Sequence, residues 1–160
     1  MMNTQSCVSP TKPLPAEFKI LIVDDNRDFV EFIRILLAHH GYTVRSAFSG
    51  RECLESVRRE AVDLVILDVM MPQMDGLTVC RELKQLRPAL PVILLTAKDD
   101  MATRAAAMAL GVSEFLAKPV NIADFLTRVR TQHDNRQWDE ELNATLSAST
   151  EANNLTPLNT

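Results

Sequence analysis

Leu64-Val65-Ile66-Leu67-Asp68-Val69-Met70-Met71-Pro72-Gln73-Met74-Asp75-Gly76 passes from four consecutive apolar side chains, through a carboxylate, into a string of turn formers. An unbroken apolar run this short, followed by Pro72 and Gly76, reads as a strand buried on both faces. Leu77, Cys80 and Leu83 then recur at helical spacing and stop before Pro88, so a helix follows the strand. Strand, polar residue, turn and helix together form one half of a crossover unit in a parallel sheet.

The same grammar extends in both directions. Upstream, Lys19-Ile20-Leu21-Ile22-Val23 is an apolar run, followed by Phe29, Ile33, Leu36 and Leu37 on a helical face that Gly41 stops. Tyr42 to Ala47 alternates like an edge strand, and Ser49 with Glu52 has the spacing of a capping box that opens a second helix. Downstream, Val92-Ile93-Leu94-Leu95 precedes an alanine-rich helix from about Asp100 to Leu110, closed by Gly111. Ser113 to Ala117 is a short strand, and Asn121 caps a last helix through Phe125, Leu126 and Val129. Five strand–helix units with continuously apolar strands imply an α/β, doubly wound open parallel sheet covered on both faces.

Composition narrows the function classes. In 160 residues, 46% are hydrophobic and 24% charged, which is globular usage. No apolar run reaches the ~18 residues of a membrane span, and Met1 to Pro15 lacks the apolar core of a secretory signal. Cys7, Cys53 and Cys80 are odd in number and far apart, so the expectation is a reduced, cytoplasmic setting without a disulfide or zinc framework. The net charge of -4 sits entirely in the tail: from Asp134 on there are five acids and one base, while the first 133 residues balance 16 acids with 16 bases. Bulk electrostatics therefore give no support to nucleic-acid binding. The expected organisation is a flexible arm over residues 1–17, a domain over 18–133, and a C-terminal extension over 134–160 that is helical at first and disordered from about Asn143.

In open sheets of this kind, ligands bind beyond the carboxyl ends of the strands. The strand ends here carry Asp24-Asp25, Asp68, Thr96 and Lys118-Pro119. A lone Asp after a strand is usually a cap or turn residue, and Asp75, Asp99 and Asp100 are read that way. Three carboxylates on one edge are different, because they repel. Without a cation, at least one has a raised pKa, and a hard divalent ion such as Mg²⁺ relieves this. A lysine and a hydroxyl beside them suit phosphoryl oxygens.

Asp24-Asp25, the string Asp68-Val69-Met70-Met71-Pro72-Gln73-Met74-Asp75-Gly76, Thr96-Ala97 and Lys118-Pro119, in that order, resemble the receiver domain of two-component response regulators over about Phe18 to His133. The resemblance implies a flavodoxin-like (βα)5 sheet in strand order 2-1-3-4-5. It implies that Asp68 is a phosphoacceptor with the ordinary carboxylate pKa of about 3.9, ionised without a general base. Mg²⁺ is then held by Asp25, Asp68 and the backbone carbonyl of Met70, with Asp24 acting through water. Lys118, Thr96 and the Ala97 amide meet the phosphoryl oxygens, Thr96 and Phe115 form the switch, and Lys118-Pro119 looks like the family's cis peptide. The domain is then not an enzyme acting on a substrate pool; it catalyses its own phosphotransfer and dephosphorylation. The partners implied are a sensor histidine kinase or phosphotransfer protein, a downstream output protein or domain, and a homodimer through the fourth helix, fifth strand and fifth helix. No nucleic acid or membrane is implied.

Two other classes share parts of this pattern. Haloacid-dehalogenase-type phosphohydrolases place a second Asp two residues after the nucleophile, where this chain has Met70. A degenerate receiver used only for binding normally lacks an acid or the lysine, and none is lost here. The chain also reads as the N-terminal receiver module of a larger regulator. Beyond the domain, Trp138, Leu142 and Leu146 are spaced i, i+4, i+8; on a continued helix they form a narrow apolar stripe suited to docking or pairing.

Overall fold

The computed structural model describes residues 17–97 and 100–154. Five strands, β1 (Lys19–Val23), β2 (Thr43–Ala47), β3 (Leu64–Asp68), β4 (Val92–Thr96) and β5 (Glu114–Ala117), alternate with helices α1 (Arg27–His39), α2 (Gly50–Arg59), α3 (Gly76–Leu86), α4 (Met101–Ala109) and α5 (Ile122–Asn154). The strands pair in parallel in the order β2-β1-β3-β4-β5, the doubly wound order expected from the resemblance. The proposed arm, apart from Glu17, and Asp99 lie outside the described residues.

Alternation along the strands divides the core. Leu21, Val65, Leu67 and Leu94 point to one face, where they cluster with Cys53 and Val57 of α2 and Cys80 and Leu83 of α3. Ile20, Ile22, Leu64 and Ile66 point the other way and are likewise buried. Along β1 and β2 lies α1, which contributes buried Val30, Ile33 and Leu37. Its buried stripe is thus shifted from the Phe29 and Leu36 positions expected from sequence; both of those are only half-buried. Each such side chain removed from water contributes roughly 1.5–3 kcal/mol.

The helix starts follow local chemistry. Asn26, Ser49, Asp75 and Asp100 each accept, through a side-chain oxygen, the N–H three residues on. The Glu52 carboxylate accepts the Phe48 N–H at 2.8 Å, completing a staple around the start of α2. Gly41 and Gly111, at φ +90° and +80°, end α1 and α4 in the left-handed region.

Gly76 has a different role. Its N–H donates to the Val69 carbonyl at 2.8 Å, and a Cβ here would collide with the Asp68 carbonyl and stand 2.7 Å from Val69 Cα. The first turn of α3 therefore rests directly on the backbone that carries Asp68. Gly76→Ala forces that backbone apart and is expected to destabilise the protein by about 1–3 kcal/mol, read as a lower denaturant midpoint. Loss of less than about 0.5 kcal/mol contradicts the close-approach account.

The chain divides into two compact units, one ending at Pro119 and the other starting at Val120. Taken by itself, the second is essentially α5, a single helix of 33 residues. The disorder expected from about Asn143 is not found as far as Asn154; residues beyond it lie outside the described residues. The physical reason is that neither Gly nor Pro interrupts residues 122–154, so no residue in the stretch breaks the helical backbone.

Candidate phosphoacceptor site

Register places the polar strand ends side by side. Val23 pairs with Leu67 and Asp68 pairs with Leu95, so Asp24, Asp68 and Thr96 emerge along one edge, with Thr96 opposite Ala117 on β5. Asp24 is 2% exposed and Asp68 6%, whereas Asp25 is open to solvent. One oxygen from each of these three carboxylates lies within 4.8 Å of the others.

Lys118 joins the cluster from the end of β5, where its peptide bond to Pro119 is cis. The Thr96 carbonyl accepts the Lys118 N–H at 2.8 Å, which carries the β4–β5 ladder up to the lysine. The ammonium then donates to Asp24 Oδ2 at 2.5 Å and lies 3.7 Å from Asp68 Oδ1. It also sits 4.3 Å from the centre of the Phe29 ring, a cation–π contact on α1. Asp24 Oδ1 accepts the Asn26 N–H at 2.9 Å, and Asp68 Oδ1 accepts the Met70 N–H at 3.3 Å.

Three carboxylates and one ammonium leave a surplus of negative charge. Asp68 registers it: burial first, then the Asp24 charge, pushes its carboxyl up to about 6, against the pull of Lys118 and the Met70 N–H, with Asp25 adding a smaller push. The repulsion expected from the clustered acids thus falls on Asp68, and the ordinary carboxylate value expected for it does not hold. Such a surplus, on oxygen ligands at one strand edge, is what a hard divalent cation neutralises.

The remaining candidates surround this cluster. Thr96 is fully buried at the end of β4, and Ala97 is an exposed bend beyond it. Phe115 is 7% exposed in the core, with the Arg104 guanidinium 4.7 Å over its ring. Met70 turns its side chain outward, 55% exposed. Phe29 and Gly76 contribute through contacts that spacing does not reveal: Phe29 falls on an apolar helical face and Gly76 in a string of turn formers. In the loop after Asp68, Gln73 holds a left-handed conformation, φ +70°.

A five-stranded sheet in this order, with an acidic cluster and a lysine at its carboxyl edge, is the arrangement of a receiver-type signalling domain. The response regulator receiver domain family matches residues 20–130, and the chain belongs to it. The response regulator MprA of Mycolicibacterium vanbaalenii is 42% identical over 112 residues, covering 70% of this chain and 48% of that protein. The chain thus spans about half the length of the curated relatives it matches. Among solved structures, a CheY-like receiver domain protein from Methanospirillum hungatei superposes with a TM-score of 0.75 at 26% identity, over 78% of this chain and 99% of the other. The BeF3-activated DrrB receiver domain gives 0.69 at 30% identity, over 74% and 99%.

Proposed function

We propose that this domain is a phosphorylation-activated switch in which Asp68 accepts a phosphoryl group from a sensor histidine kinase or phosphotransfer protein. The observation that carries this reading is the convergence of Asp24, Asp25 and Asp68 within 4.8 Å, with the Lys118 ammonium against Asp24 and Asp68. An Asp68 carboxylate oxygen forms the new O–P bond as the donor's N–P bond breaks, with the electron pair leaving on the imidazole nitrogen. Lys118, the Thr96 hydroxyl and the Ala97 N–H receive the phosphoryl oxygens, and the small Ala97 side chain leaves the edge open to a donor. Asp25, Asp68 and the Met70 carbonyl would hold Mg²⁺, with Asp24 contributing through water. When bound, that ion offsets repulsion between the carboxylates and the incoming phosphoryl group. Water later cleaves the acyl phosphate and resets the domain.

Output follows from the added charge, about -1.5 to -2 at neutral pH. Thr96 shifts toward it, Phe115, already buried in this state, repacks in response, and the exposed faces of α4, β5 and α5 change for an output protein, an output domain of a longer chain, or a second copy. The domain catalyses its own phosphotransfer and dephosphorylation rather than turning over a substrate pool. A cytoplasmic setting belongs to the same proposal. It is supported by the free thiols of Cys53 and Cys80, and no described helix is long and apolar enough to cross a membrane.

The pH dependence of metal binding has a definite sign. A proton held by Asp68 up to about pH 6 must leave before a cation is coordinated. Mg²⁺ affinity is therefore expected to fall as pH drops below about 6, with proton uptake by buffer in calorimetry; pH-independent affinity between 5 and 7 contradicts it. The function itself is tested with beryllofluoride, the ion that activates the DrrB receiver domain named above, read by ¹⁹F NMR. A bound signal is expected only with Mg²⁺ present and only while Asp68 is intact. A signal that survives Asp68→Asn overturns the assignment.

A further inference from the structure

Past the sheet, α5 carries an apolar stripe that the proposed switch leaves unused. Trp138, Leu142 and Leu146 are 72%, 56% and 56% exposed. With 3.6 residues per turn they cover about 80° of the helix surface and about 12 Å of its length. The residues of α5 that are buried, Phe125, Val129 and Gln132, centre about 110° away around the helix, so the stripe does not continue that face. Large apolar side chains grouped in this way, with an aromatic at one end, mark an interaction surface.

Charge selects the occupant. On the helical projection, Asp134 and Glu141 flank one edge of the stripe and Asp139 the other. The one base of this stretch, Arg136, projects away from the stripe and bonds Glu140 at 2.8 Å. A second copy of α5, parallel or antiparallel, sets carboxylates against carboxylates beside a seam only three residues long. An anionic membrane or a nucleic acid is repelled for the same reason. We propose that residues 134–146 dock a basic amphipathic helix of a partner protein, with apolar side chains at i, i+4 and i+8 flanked by Lys or Arg.

The chain provides its own reporter, because Trp138 is its only tryptophan and lies in the seam. The full chain is titrated with two synthetic helical peptides carrying leucines at i, i+4 and i+8, one flanked by lysines and the other by glutamates. The lysine-flanked peptide is expected to give a saturable blue shift of Trp138 emission, weakened at high salt, and the glutamate-flanked peptide none. The double variant Leu142→Gln/Leu146→Gln should weaken binding by at least about tenfold. The double variant Asp139→Lys/Glu141→Lys should exchange the preference between the peptides. Circular dichroism checks that both variants keep the helix. Equal response to both peptides, or no response, overturns the proposal. A blue shift that grows with protein concentration without peptide, with doubled mass in sedimentation, overturns it in favour of self-pairing.

Discussion

Asp68→Asn raises the stability of the metal-free protein at pH 7 by about 1–2 kcal/mol, although it removes the side chain on which the site is centred. The folded protein holds the Asp68 proton up to about 6, against about 3.9 for an unfolded chain. Between these values the folded state binds more protons, so this carboxyl lowers stability as pH rises from 4 to 6, and above 6 its full cost is present. Two units correspond to at most about 2.7 kcal/mol, reduced here because the edge opens to solvent. Asparagine keeps the shape and an acceptor for the Met70 N–H and discards the charge. The gain is expected to vanish near pH 4 and to shrink when Mg²⁺ stabilises the wild type. Urea midpoints of both proteins at pH 4 and pH 7 check this; a variant less stable than the wild type at pH 7 contradicts the assignment of Asp68 as the strained member of the cluster.

Lys118→Ala acts in the opposite direction. Asp24 is 2% exposed, and the Lys118 ammonium at 2.5 Å is the cation that partners its carboxylate. Removing one member of a buried pair typically costs 3–5 kcal/mol. Lys118 keeps a side-chain exposure of 21%, so about 2–3 kcal/mol is expected. The alternative cation should compensate: Mg²⁺ is expected to stabilise Lys118→Ala more than the wild type, because no ammonium competes for Asp24. Phosphoryl uptake should nonetheless fall by about 10²-fold, since one positioned donor to the developing charge is gone. Unfolding curves with and without Mg²⁺, beside uptake rates, separate the two effects. Wild-type uptake by the variant contradicts the lysine's proposed role.

Much of this was legible in the sequence, for identifiable reasons. Strands buried on both faces appear as unbroken apolar runs, so β1, β3 and β4 and the order of elements could be read directly. The parallel register then gathers strand-end residues on one edge, which brings Asp24, Asp68, Thr96 and Lys118 together without any side-chain detail. What was not legible depends on distances between backbones or on a charge's surroundings. That Gly76 lies against the Asp68 carbonyl, that Phe29 turns its ring to Lys118, and that Asp68 carries the raised pKa follow from packing, which one-dimensional spacing does not encode. The continuation of α5 to Asn154 is obscured by the polar composition of the stretch after Asn143, although no Gly or Pro breaks it.

The central claim, that Asp68 takes a phosphoryl group, is tested most directly by intact mass after exposure of the protein to Mg²⁺ and a small acyl phosphate, beside Asp68→Asn. The expected result is one added phosphoryl group on the wild type, lost after the donor is removed, and none on the variant. An equal adduct on Asp68→Asn, or no adduct on a wild type shown to bind the metal, contradicts it.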